Sequence, residues 1–224
     1  MVHPAAIDTA SRGEGCQMTD EMKTLKDDIA FMRALAQEGQ RTPLLGGAIL
    51  LTAGVVFAGA SLAHWAVMAG VVIVSPWAFP GIWTVALSVF LITLTVLRRR
   101  MDGQPGASSP GNRAAGMAWT GVGWAIFTMA VVLAVISYRT HSPAPMMVFP
   151  SVILTFYGLG WTVAAAMSRK GWIWLTAIGS YVWAVVTAWF AAGSEVYLIY
   201  ALALLMLAAL PGFLLMRREP TDTV

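Results

Sequence analysis

The sequence predicts an all-α, polytopic integral membrane protein, with six transmembrane helices preceded by one cytoplasmic amphipathic helix. Three observations predict it. Charge-free runs dominate the chain, at 44–97, 114–138, 140–168, 171–194 and 196–216. A crossing takes about 20 apolar residues for roughly 30 Å of hydrocarbon, so the first run suffices for two crossings and each of the others for one. Arg98-Arg99-Arg100 interrupts the series, and three adjacent arginines are costly in hydrocarbon, which fixes that point in water. Finally, 58% of the chain is hydrophobic and 11% charged, against roughly 25% charged residues in soluble domains. No water-soluble core of this size could hide five such runs.

Residues 1–18 are small and polar, with Pro4, Gly13 and Gly15 and no apolar periodicity, and read as a disordered extension. Cys16 stands alone, which excludes an intramolecular disulfide framework and fits a reducing compartment. No apolar segment precedes it, so neither a signal peptide nor a lipid-attachment signal is expected there.

Residues 19–38 read as one amphipathic helix, capped by Thr19 or Asp20 and ended by Gly39, with a linker to residue 42. Met22, Leu25, Ile29, Met32 and Ala36 recur at alternating spacings of three and four, the pattern of an a/d seam. Barely two heptads are present, short of a coiled coil. Such a seam either packs on the helix's own bundle or docks on a cytoplasmic protein or a second copy. Balanced acids and bases between the apolar positions argue against a place in the lipid interface. The partner-binding candidates are therefore Met22, Leu25, Ile29 and Met32.

The six-span bundle covers 43–218, with spans at about 44–64, 77–97, 115–137, 146–167, 172–192 and 196–216, and a polar tail follows at 219–224. The first span is rich in small residues, among them Gly46, Gly47, Gly54, Ala58 and Gly59, and Trp65 after it suits a membrane interface. The second carries Pro80 in its first turn, where proline is tolerated, and ends on the arginine triplet. From Met101 to Arg113 the prolines, glycines and serines predict a flexible loop. Pro211-Gly212 predicts a kink in the sixth span.

Six spans place both termini on one side. With that side cytoplasmic, it receives Arg12, Lys23, Lys26, Arg33 and Arg41, the central Arg98, Arg99, Arg100 and Arg113, then Arg169, Lys170, Arg217 and Arg218. Of 14 basic residues only Arg139 is left outside. The positive-inside bias then predicts a bacterial-type inner-membrane protein with both termini in the cytoplasm. The net charge of +3 comes from these loop residues, so orientation explains it and no nucleic-acid partner is expected; the partners expected are the bilayer and the helix-bound protein or second copy.

Two stripes of small residues predict helix contacts, since lipid supplies no hydrophobic drive and close backbone approach must substitute. One is Gly158, Thr162 and Ala166; the other is Ser180, Ala184 and Ala188, extending to Ala192. Leucine at Ala184 or Ala188 is expected to do more harm than at Ala203, where no stripe is visible. A local echo relates 121–125 (GVGWA) to 158–162 (GLGWT), with packing as its plainest meaning.

No chemical constellation emerges. His64, His141 and Glu195 fall at the outer ends of spans with Met68, Met146 and Met147 nearby, yet on different connections and without ligand spacing, so no metal is expected. Haem would require an inward-facing histidine pair. The fragment 57–64 resembles the serine motif of rhomboid proteases around Ser61 only. His64 lies one turn away on the same helix, and the last span offers no histidine. Every Asp, Glu, Lys and Arg lies in a loop or at a span end, whereas ion-coupled transport would normally require an ionisable group near the bilayer centre. The expected function is a non-enzymatic membrane interaction or regulatory component without cofactor. The alternative is a small transporter or channel for an uncharged or lipophilic compound, through a path lined by Thr52, Ser88, Thr128, Thr155 or Ser180.

Overall fold

In a computed structural model, the described residues are 22–23, 25–31, 46–101, 109–168 and 170–217. They form two units, 1–41 and 42–224, taken here one at a time. In the first, residues 22–23 and 25–31 are helical, with Met22, Leu25 and Ile29 exposed. Met32 and the remainder of 19–38 lie outside the described residues.

The second unit is helical: α1 (Gly47–Met68), α2 (Ala78–Met101), α3 (Pro110–Thr140), a short α4 (Ala144–Met147), α5 (Phe149–Ser168), α6 (Gly171–Trp189), α7 (Glu195–Leu204) and α8 (Leu210–Met216). A π-helical turn, Leu205–Ala209, joins α7 to α8. With α4–α5 and α7–α8 each taken as one rod, six helices are long and apolar enough to cross a bilayer. The chain is thus a multi-pass, all-helical membrane protein.

Two boundaries differ from expectation for physical reasons. Ser109 and Pro110 open α3 instead of belonging to a loop. The Ser109 hydroxyl accepts from the Asn112 N–H, and Pro110 occupies the first turn, where its missing N–H costs nothing. Arg113 is therefore helical. At its far end α3 runs on to Thr140, and His141 (φ 51°) terminates it in the left-handed region. In α2, the arginine triplet lies inside the last helical turn, where the dipole favours cations.

The rod α7–α8 packs along α1 on one side and meets α6 on the other; α5 lies against α6 and carries α3, while α2 packs on α1. The most buried side chains belong to α1, α5, α6 and α7, with Leu154, Trp161, Ile173 and Leu204 at their centre. Peripheral α2 and α3 bury little: Ala86 on α2, and Ala115 and Val122 on α3.

The α1–α8 seam is the closest. A Cβ added at Gly54 would lie 2.8 Å from the Ala209 Cα, and one at Gly212 would lie 2.8 Å from the Gly47 carbonyl. Gly47, Gly54 and Ser61 recur every seven residues on the face of α1 that does this, so three small residues let two backbones touch.

The anticipated stripes are followed only in part. Gly158 faces the Tyr181 ring, and Thr162 lies 3.4 Å from the Tyr181 hydroxyl, so both sit in the α5–α6 seam. Ser180 and Ala184 are buried, but Ala166 and Ala188 are exposed, while Ala165 and Thr187 are buried beside them. A strict spacing of four advances 40° per step on a helix of 3.6 residues per turn, so the buried face passes to its neighbour. Ala203, expected to be tolerant, is fully buried. The echoed glycines also diverge: Gly160 approaches Trp119, whereas Gly121 and Gly123 look into open space.

Candidate functional site

The polar side chains that the spans bring together lie at the end of the bundle remote from the arginine triplet. Ser61 and His64 project from the last turns of α1, Phe79 and Trp83 from the first turns of α2, and Tyr197 from the start of α7. The Ser61 hydroxyl donates to the Tyr197 carbonyl at 2.7 Å. The Trp83 indole N–H donates to His64 Nδ1 at 2.9 Å. That bond requires a lone pair on Nδ1, so the ring proton belongs on Nε2. The imidazole stacks on the Tyr197 ring at 3.8 Å between centroids and leans on Phe79 at 4.6 Å.

This geometry decides what the cluster can do. The Ser61 proton is held by a carbonyl, and the His64 nitrogen that could act as a base is occupied by an indole. A nucleophile–base pair needs the two groups bonded to each other, and here each is bonded elsewhere. The cluster welds α1, α2 and α7 through one buried and one half-buried hydrogen bond and an aromatic stack. His64 is buried, whereas His141 and Glu195 are exposed. Among the described residues no three His, Cys, Asp or Glu side chains gather as a metal site would need.

The hydroxyls considered for a transport path are likewise engaged or outside the interior. Thr52 donates to the Ala48 carbonyl, Thr155 to Ser151 and Ser180 to Thr176, each four residues back on its own helix. Ser88 and Thr128 are exposed on α2 and α3. An open, shallow groove of about 550 Å³ runs along α2 beside α1, lined by Val56, Ala78, Gly81, Ile82, Val85, Ala86 and Val89. Its walls hold no polar side chain.

The described basic residues of the bundle, Arg139 apart, collect at the opposite end. Arg98, Arg99, Arg100, Arg113 and Arg217 are exposed. Arg98 reaches the Thr120 hydroxyl at 3.4 Å, and the Arg217 guanidinium lies 4.4 Å from the Phe213 ring centre. Lys170 sits between α5 and α6. Arg169 and Arg218 lie outside the described residues.

A second buried polar contact was not anticipated. The Trp161 indole donates to the Leu207 carbonyl at 2.9 Å, from α5 to the π-helical turn. Its signal was present in the sequence. Pro211 has no N–H for the carbonyl four residues earlier, which is that of Leu207, so a donor had to come from elsewhere. The His64–Trp83 bond carried no comparable signal, because it depends on how α1 and α2 cross.

Compared with protein-family models, with curated proteins and with solved structures, the chain has no match.

Proposed function

We propose that this protein is a non-catalytic component of a bacterial inner membrane that works through contacts, with the 19–38 segment as its amphipathic, cytoplasmic docking helix. One observation carries the reading. Four interior hydroxyls placed where catalysis or a hydrophilic path would use them donate to backbone carbonyls, Ser61 across helices and Thr52, Thr155 and Ser180 within their own. What remains for interaction is an apolar set, Met22, Leu25 and Ile29, exposed on helical backbone, with Met32 as its fourth member by spacing. Burying each such side chain contributes at most about 1.5–3 kcal/mol, and ordering a marginal helix offsets part of it. The contact is therefore a reversible one.

Leu25→Asp with Ile29→Asp is expected to abolish capture of a partner by the full-length membrane protein while leaving its membrane abundance unchanged. Lys23→Ala should have little effect. Reduced abundance in the double variant would mean that the helix packs on its own bundle. No change in capture would remove the docking role.

The proposal includes an orientation with both termini in the cytoplasm, supported by the Lys and Arg distribution. A reporter active only outside the cytoplasm should give signal when fused near Ser142 or Gly193, and none near Gly106 or Val224. Signal at Gly106 would overturn it. Passage of an uncharged or lipophilic compound is the alternative, along the open apolar groove of α2 beside α1. Leucine at Gly81, which faces open space, would block such passage without touching the docking helix.

A further inference from the structure

We propose that the furrow between α2 and α3 at the arginine-bearing end is a binding site for an anionic diacyl phospholipid. Helix α2 packs on α1 and α3 packs on α5, with no extended seam between α2 and α3. They are tied near one end by the Arg98–Thr120 contact. Helical spacing then defines the facing walls. Leu94, Leu91 and Leu87 follow Arg98 down the same stripe of α2, and Trp124, Phe127 and Val131 follow Thr120 on α3. Trp124 and Phe127 are in edge contact with each other, which confirms their shared face. Leu87, Leu91, Trp124, Phe127 and Val131 are all exposed.

The same stripes carry positive charge at their common end. Arg113 lies on the Thr120 face of α3, two turns nearer the end, and Arg99 and Arg100 follow Arg98 on α2. Among the described residues no carboxylate pairs with any of them. Arg98 and Arg113 at the head of an apolar furrow, with Arg99 and Arg100 further round the same turn of α2, match a phosphate bearing two acyl chains, and arginine binds phosphate oxygens through paired N–H donors. The lengths also agree. Roughly 16 Å of helix separates Leu87 from Arg98, and Val131 from Thr120, against about 15 Å for half of a 30 Å hydrocarbon core. One leaflet's chains fit the exposed walls.

The test uses the full chain in neutral detergent, with phosphatidylglycerol or phosphatidylcholine added, followed by native mass spectrometry and thermal unfolding. Phosphatidylglycerol should stay bound and raise the unfolding temperature, and phosphatidylcholine should do neither. Arg98→Gln with Arg113→Gln should lower retention by about tenfold or more, as for lost charge-assisted hydrogen bonds. Lysine at both positions should restore part of it, and Arg217→Gln should leave it unchanged. Leu91→Trp, which obstructs the furrow and spares every arginine, should also lower it. Equal retention of phosphatidylcholine would overturn the proposal. So would equal stabilisation by inorganic phosphate, which would mean an anion site without chains. Efficient disulfide linkage of two copies through Leu91→Cys, insensitive to added lipid, would overturn it as well by showing a second copy in the furrow.

Discussion

Replacing Gly54 by alanine is expected to push α1 away from the π-helical turn that precedes α8 and to produce one of the largest losses of stability available to a single methyl group in this protein. The new carbon would lie 2.8 Å from both the Cα and the Cβ of Ala209. The obstacle is mainly backbone, so no rotamer change can clear it. Overfilling a packed contact costs typically about 1–3 kcal/mol, and the upper part of that range applies when two helices must move as bodies. Gly59→Ala is the matched control on the same helix, because nothing lies within 4 Å of that position. There alanine's better helix propensity, up to about 1 kcal/mol, should leave stability unchanged or raised. Denaturant unfolding of the purified protein in mixed micelles reads both. Similar losses at Gly54 and Gly59 would show that helix contact is not what Gly54 supplies. The same assay separates Ala203→Leu from Ala188→Leu. Ala203 is fully buried and Ala188 exposed, so the first should be severely destabilising and the second tolerated.

Gly54 also marks the limit of what was legible from sequence. Charge-free runs located six spans to within a few residues because the energetic signal there is large: a single arginine inside hydrocarbon outweighs most local preferences. Helix contacts depend on smaller differences in side-chain volume, and many small residues offer themselves. The first span was visibly rich in them, but only the seven-residue recurrence of Gly47, Gly54 and Ser61 distinguishes the seam from Gly59, which points outward. The Ser180 stripe leaves the chain's own buried face at Ala188, because a repeat of four drifts off that face after two steps. At Ser109-Pro110 the composition of a loop concealed the start of a helix, since serine and proline suit both. His64 was legible as a residue at a span end but not as the acceptor of the Trp83 indole. That contact belongs to the crossing of two helices and to neither helix alone.

Trp161→Phe is expected to destabilise the bundle by about 1–3 kcal/mol through one unsatisfied carbonyl, with a further loss from the smaller ring in a fully buried site. The argument begins at Pro211. A proline within a helix supplies no N–H to the carbonyl four residues earlier, and its ring crowds that carbonyl. Here the carbonyl is that of Leu207, inside the π-helical turn Leu205–Ala209, where the Leu210 N–H bonds to Leu205 at the wider spacing. Widening the turn accommodates the ring, and the N–H missing at Pro211 is lost to Met206 at the wider spacing and to Leu207 where α-helical spacing resumes. In a membrane interior water does not fill such a vacancy, so another helix must, and the Trp161 indole does so at 2.9 Å. Pro211→Ala restores a backbone donor and lets the turn return to α-helical spacing. The penalty for Trp161→Phe should therefore be smaller in the Pro211→Ala background than in the native one. A coupling of about 1 kcal/mol is the size found for residues sharing one hydrogen-bond network. Unfolding midpoints of the two single variants and the double variant measure it. An equal penalty in both backgrounds would mean that Trp161 contributes only its volume, and that the Leu207 carbonyl finds its partner elsewhere.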